Sequence, residues 1–157
     1  MDWVVGVVYA GFLAGSGALA VVDARTKRLP NRITYPLFAF GVVGLTLASW
    51  VGHEWWRLIA AVVAAALCFG LFWLLWFFGG MGLGDVRLIG AIGFYLGWIG
   101  IAAVETGVLI GTLVASVYHV GKLLLRRASR KSELAFGPYL IGGAWAALAL
   151  EALLLAR

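Results

Sequence analysis

The chain has 157 residues, of which 64% are hydrophobic and only 12% are charged, and its mean hydropathy is +1.02. Soluble domains carry roughly 25% charged residues, so this composition excludes a soluble globular protein. The formal net charge of +5 does not indicate nucleic-acid binding, because the basic residues lie in short segments beside long apolar stretches, where they are typical of membrane topology signals.

Six apolar stretches follow one another along the chain and predict membrane-spanning helices. Five of them approach the ~20 residues that a span needs, and a sixth is shorter and ends at the turn-prone Gly97-Trp98-Ile99-Gly100. We therefore expect an all-α polytopic bundle of about six transmembrane helices, forming a single domain over residues 1–157. The stretches are 3–22, 33–51, 58–78, 86–98, 99–119 and 137–156.

The first apolar stretch is expected to stay in the mature protein, with the N-terminus outside the cell. Ala18-Leu19-Ala20 resembles a signal-peptide cleavage site. A signal peptide, however, carries positive charge before its apolar region, whereas here Asp2 precedes the stretch and basic residues follow it.

This orientation places loops one, three and five in the cytoplasm. They hold ten of the twelve basic residues, in agreement with the positive-inside rule, and leave Arg57 and Arg157 outside. The positive face is expected to attract anionic lipid headgroups. The ten residues are Arg25, Lys27, Arg28, Arg32, Arg87, Lys122, Arg126, Arg127, Arg130 and Lys131.

The same three loops contain most of the chemically unusual residues. Loop one begins at Asp23 and continues through Leu29-Pro30-Asn31, and loop three contains Gly82-Leu83-Gly84-Asp85. Loop five ends in Ala135-Phe136-Gly137-Pro138-Tyr139. Three segments therefore meet at one membrane face, and two of them carry a carboxylate.

Asp85 is expected to lie within the cytoplasmic leaflet rather than at its surface. Residues 86–98 give roughly 20 Å of helix against a hydrocarbon core of about 30 Å, so a helix beginning after Asp85 starts about 10 Å below the surface. Two carboxyl groups in such a recess cannot both ionise comfortably, and a pair that shares a proton can polarise a carbonyl and activate water. A structural alternative stays open, in which Asp85 only caps a helix and Asp23 is only an interfacial charge.

The glycines before Asp85 favour a re-entrant turn with close backbone approach. Glycine adopts conformations that other residues avoid, and we expect a Cβ atom at Gly84 to lie next to the Asp85 carboxylate. A phosphate-binding loop is disfavoured, because a Walker loop needs Gly-Lys followed by Ser or Thr. A dinucleotide fingerprint is disfavoured too, because an aromatic-rich apolar stretch precedes these glycines instead of a strand.

Other small and polar residues in the spans are interpreted as structural. His53 and His119 lack the spacing of a metal site and are expected at surface or interfacial positions. Glu105 is expected to hydrogen-bond locally, although a direct functional role stays open. Three small-xxx-small pairs predict close helix packing. The pairs are Gly11–Gly15, Gly93–Gly97 and Gly107–Gly111.

The chain resembles the type IV prepilin peptidases over essentially its whole length. Gly82-Leu83-Gly84-Asp85 matches the GxGD motif, and Asp85-Val86-Arg87-Leu88 resembles its usual continuation. Asp23 followed by Leu29-Pro30-Asn31, and Phe136-Gly137-Pro138-Tyr139-Leu140 near the end, occur in the order typical of the family.

The resemblance implies a membrane aspartic endopeptidase, needing no cofactor or metal, that removes leader peptides from prepilins or pseudopilins at the cytoplasmic face of a prokaryotic inner membrane. It implies Asp23 and Asp85 as the catalytic dyad. Family members commonly carry lysine where this chain has Arg87. Methyltransferase activity is not expected, because the cysteine-bearing region of the bifunctional enzymes has no counterpart here. The residues expected to shape the loops or contact substrate are Gly82, Gly84, Arg87, Pro30, Asn31, Phe136, Gly137 and Pro138.

Two other classes of function remain open. A proton-coupled transporter or relay could use the same carboxylates, but it needs polar residues that continue across the membrane, and the fifth stretch alone offers several. An assembly scaffold without chemistry accounts for the basic face but not for a recessed aspartate.

Overall fold

The computed structural model describes residues 2–26, 29–78, 82–124 and 136–156, except the side chains of Asp2, Leu123 and Leu155. Six α-helices make up almost all of these residues, and no strand occurs among them, which confirms the all-α prediction. The helices are α1 (Asp2–Thr26), α2 (Asn31–Gly52), α3 (Trp55–Phe77), α4 (Leu83–Ile99), α5 (Ile101–Leu124) and α6 (Gly137–Leu155).

Five of the six helices are long and apolar enough to cross a membrane, so the chain is a multi-pass membrane protein. The exception is α4, whose 17 residues measure about 25 Å at 1.5 Å per residue, against a hydrocarbon core of about 30 Å. The sequence correctly marked this segment as the short one.

Helix α4 is short but lies at the centre of the bundle. Every residue from Asp85 to Trp98 is buried apart from Arg87, which is partly exposed. A helix that is apolar all round is buried on all sides, and α4 packs against α2, α3, α5 and α6. Tyr95 ties it to two neighbours, because its hydroxyl donates to the Leu37 carbonyl of α2 at 2.7 Å, while Tyr9 of α1 donates to its carbonyl at 2.7 Å.

The predicted glycine pairs lie at helix contacts. Gly93 and Gly97 of α4 face Ala64 of α3, and an added Cβ at Gly97 would lie 2.6 Å from the Ala64 side chain. The other pairs bring α1 against α2 at Gly11–Gly15, and α5 against α6 at Gly107–Gly111. Small residues let helices approach closely where no hydrophobic effect drives them together, and the three packing predictions are confirmed.

Several helix ends differ from the sequence prediction. Helix α1 continues to Thr26 rather than 22, so Asp23 lies in a helix and not in loop one, and α5 extends to Leu124 rather than 119. The fourth helix begins at Leu83 rather than after Asp85, with Gly82 as its N-cap in an extended conformation. Asp85 therefore lies in the first turn and is not the cap, a position where the helix dipole favours a carboxylate. Of the turn predicted at 97–100, only Gly100 lies outside a helix. Its backbone is extended, and it separates α4 from α5.

Candidate active site

Asp23 and Asp85 are buried at the same end of the bundle. Asp23 lies in the last turn of α1 and is 3% exposed, while Asp85 in the first turn of α4 is 6% exposed. Charged groups are rarely buried without a partner, yet the one ion pair among the described residues joins Arg57 and Glu54 at the opposite end. The two carboxyl groups are close enough to interact electrostatically with each other.

The N-terminus of α6 lies next to this pair of carboxyl groups. The backbone at Gly137 faces both carboxyl groups, and α6 begins there with Phe136 as its N-cap and Pro138 in the first turn. Proline suits this position, since its missing N–H is not needed at a helix start. The helix dipole directs partial positive charge toward the two carboxyls, while Asp23 Oδ2 has no hydrogen-bond partner among the described residues.

Gly137 is the glycine packed most tightly against the pair. A Cβ atom added there would lie 2.5 Å from Asp23 Oδ2 and 3.2 Å from its Cγ. Contacts under 3.0 Å force a neighbour to move, so a side chain at this position would displace the carboxyl group. The sequence placed Gly137 in the third converging segment, but only the fold shows that it touches Asp23.

The segment between α1 and α2 packs against glycines that lie next to the two aspartates. Leu29 contacts both Gly84 and Gly137, since Cβ atoms built at these glycines would lie 3.0 Å and 3.4 Å from its side chain. Pro30 is the N-cap of α2, and Asn31 Oδ1 accepts a 2.8 Å hydrogen bond from Arg87 Nη1. The three segments predicted to converge are thus in contact with one another.

Both motif glycines have close neighbours at the start of α4. Apart from its chain neighbours, a Cβ atom built at Gly84 would meet Leu29, at 3.0 Å from the Leu29 Cβ, while one built at Gly82 would lie 3.3 Å from Asp85 Oδ2. Neither has a positive φ: Gly82 has φ −81°, and Gly84 lies within the helix. Glycine therefore suits these positions because neighbouring atoms leave little room for a side chain, and not because the backbone is strained. Gly79, Gly80 and Met81 lie outside the described residues.

His119, predicted at a surface or interfacial position, is buried within the protein near the site, at the inner end of α5. It is 9% exposed, and neither ring nitrogen has a hydrogen-bond partner among the described residues. Its ring contacts Phe136, with centroids 4.6 Å apart, and Tyr139 at 5.7 Å. It thereby holds the inner end of α5 against the start of α6. A single histidine in an apolar stretch gave no sequence signal for this contact.

Glu105 lies away from the aspartates. It is exposed on α5, in the first turns after the α4–α5 junction, and its role stays a prediction. The described part of the chain contains no group of three or more histidine, cysteine, aspartate or glutamate residues arranged to hold a metal ion.

Comparison with known proteins supplies a family for this arrangement. The model of the type IV leader peptidase family matches residues 10–122, which include both aspartates and end before α6. Proteins named prepilin leader peptidase/N-methyltransferase are similar. The one from Aeromonas salmonicida (strain A449) is 33% identical over 138 residues, 83% of this chain and 45% of that protein. The one from Dickeya chrysanthemi is 34% identical over 148 residues, which are 88% of this chain and 50% of that protein.

A more distant relative from Pseudomonas aeruginosa is 29% identical over 134 residues, 83% of this chain and 45% of that protein. The chain thus spans about half the length of the curated relatives it matches. No solved structure matches it.

Proposed function

The chain belongs to the type IV leader peptidase family, and we propose that it is a membrane aspartic endopeptidase that removes the leader peptide from prepilin-like substrates. The observation that carries the proposal is the pair of buried carboxyl groups, Asp23 and Asp85, facing the N-terminus of α6. Nothing else among the described residues offers a competing nucleophile beside a base.

The proposed reaction uses the two carboxyl groups in opposite protonation states. The ionised carboxyl takes a proton from a water molecule as the water oxygen attacks the scissile carbonyl carbon, and the protonated carboxyl donates its proton to the carbonyl oxygen. In the collapse of the tetrahedral intermediate the C–N bond breaks, and the proton gained from water passes to the departing amine. The other carboxylate recovers its proton from a hydroxyl group of the intermediate as the new carboxylic acid forms. The pair returns to its starting charge, so no cofactor is consumed.

The surrounding helices would hold this pair in position. The partial positive charge at the start of α6 favours negative charge on the carboxyls and on the intermediate. The Leu29 side chain would fill the space between Gly84 and Gly137. On the open side, Gly82 and Leu83 are exposed next to Asp85, and an extended peptide would approach there.

The proposed location is the cytoplasmic face of a prokaryotic inner membrane, with the aspartate end inward. The basic residues that favour this orientation surround that end, although Lys27, Arg28 and the basic residues between 125 and 135 lie outside the described residues. The positive charges would also attract anionic headgroups.

The decisive experiment is cleavage of a prepilin by the purified full-length protein. We expect leader removal, seen as a gel shift and confirmed by the mass of the new N-terminus, with a bell-shaped pH dependence, because losing or doubling the shared proton stops the reaction. Activity should survive chelation by EDTA. Absence of cleavage of any prepilin from the source genome would contradict the proposed function, and loss on chelation that added metal restores would contradict the aspartic mechanism.

A further inference from the structure

A second recess lies on the other side of α4 from the aspartates. The α2–α4 groove, as we name it, has a volume of about 290 Å³ and is bounded by Tyr35 and Phe38 of α2, Ala66 and Phe69 of α3, and Arg87 and Ala91 of α4. Helices α2 and α3 are joined by a short turn at the opposite end, where the rings of Trp50 and Trp55 are 5.9 Å apart. The groove occupies the space between them nearer the aspartate end.

The walls of the groove are apolar, and its mouth carries one cation. Arg87 follows Asp85 by two residues, so the two side chains point about 200° apart around the helix. The guanidinium donates to Asn31 Oδ1 at 2.8 Å and lies 5.9 Å from the centre of the Tyr35 ring. It makes no ion pair with any residue that the structure describes, and it lies beside an apolar recess.

These features match an amphiphile with a negative head. A guanidinium has five N–H donors and binds phosphate through two at once, and Arg87 uses one group for Asn31. Arginine also extends its charged end toward the membrane–water interface while its stem lies against apolar surface. The position of Arg87, one turn into α4, suits a phosphate at the boundary of headgroups and hydrocarbon.

The size of the groove distinguishes a lipid chain from a peptide helix. A peptide helix is about 10 Å across, whereas the recess, of about 290 Å³, is bounded by side chains of three helices. A flexible hydrocarbon chain adapts to a narrow slot and packs against its apolar walls.

We propose that the α2–α4 groove binds one anionic phospholipid, with an acyl chain between α2 and α3 and the phosphate held by Arg87. The lipid would fill the gap that the two helices leave and stabilise the aspartate end from the side away from the carboxyls. The groove does not include Asp23 or Asp85, but Arg87 belongs to both regions, so the test measures lipid binding and not cleavage.

The test is native mass spectrometry of the purified full-length protein titrated with phosphatidylglycerol or phosphatidylcholine of identical chains. We expect the first phosphatidylglycerol to bind about fivefold more tightly than phosphatidylcholine, since one arginine near a phosphate contributes about 1 kcal/mol. Arg87→Gln should remove this preference. Ala66→Phe, which fills the groove from its exposed side, should weaken both lipids, while Ala149→Phe on the exposed surface of α6 should change neither.

Three results would overturn the proposal. A phosphatidylglycerol preference that survives Arg87→Gln would assign binding to the basic loops instead. Unchanged affinities in Ala66→Phe would show that the groove is not the site, and this variant retains its meaning if Arg87→Gln folds poorly. If Ala66→Phe weakens binding of an apolar prepilin-derived peptide but leaves phosphatidylglycerol unaffected, the occupant is peptide and not lipid.

Discussion

Both ends of α4 lie beside buried polar groups. The ends differ in whether those groups have hydrogen-bond or ion-pair partners. At the end marked by Trp98, its indole donates a 2.9 Å hydrogen bond to Ser49 Oγ, while Arg57 pairs with Glu54 and lies 4.9 Å from the Trp98 ring. At the aspartate end, Asp23 Oδ2 is buried without a hydrogen-bond partner among the described residues.

The contrast indicates what each end is for. Buried polar groups are normally hydrogen-bonded, and one left without a partner needs an explanation. At the tryptophan end the polar side chains interact with one another, and these contacts join α2, α3 and α4. The aspartate end keeps acceptor atoms available inside the protein, which lowers stability but suits the proposed site, where water and a peptide carbonyl would bind.

The largest expected difference between the ends is in catalysis. Asp23→Asn or Asp85→Asn keeps the shape of the side chain and removes its proton exchange, so cleavage should fall by about 10²–10⁴-fold, the usual contribution of general acid–base catalysis. Glu54→Gln makes the same chemical change at the tryptophan end and should leave cleavage intact. Steady-state assays on equal amounts of folded protein make the comparison. Near-normal cleavage by either aspartate variant would remove that residue from the proposed dyad.

The next largest effect should come from the glycine that touches Asp23. Gly137→Ala places a methyl group 2.5 Å from Oδ2 and must shift the carboxyl or the start of α6. A displacement of about 1 Å at a catalytic group can lower activity by roughly 10²-fold. Gly142→Ala is the matched control, since it lies on the same helix with no atom within 4 Å of the added Cβ. If both variants cleave equally well, close approach at Gly137 does not matter.

The sequence predicted the fold well because its signals were local. Apolar length and loop charge indicated the helices, and glycine spacing indicated where they pack. The aspartates were found because the chain has only seven acidic residues and because the motif is local. The contact of Gly137 with Asp23, the burial of His119 against Phe136 and the placing of Leu29 against Gly84 could not be predicted, since each joins residues on different helices that share no pattern.

A smaller effect is expected at Gly84, and it depends on Leu29. Gly84→Val adds bulk 3.0 Å from the Leu29 Cβ, and overpacking of this kind costs about 1–3 kcal/mol, so cleavage should fall roughly tenfold as Leu29 and the helix start move. Adding Leu29→Ala makes room and should restore much of the activity. The full set of variants is compared by leader cleavage and membrane yield. If the double variant is no better than Gly84→Val alone, the valine acts on some other group.

The smallest effect on cleavage is expected at the tryptophan end, where the change should appear in stability instead. Ser49→Ala removes the acceptor of the Trp98 indole N–H in a site where both residues are buried, and an unsatisfied buried donor costs about 1–3 kcal/mol. Thermal unfolding in a defined detergent should show the loss, while cleavage per folded molecule stays at the parent level. Trp98→Phe removes the donor too, so adding Ser49→Ala to it should cost less than it does alone, because the two residues form one interaction. If Ser49→Ala lowers cleavage as much as stability, the two ends are coupled through α4, and the tryptophan end also helps to position Asp85.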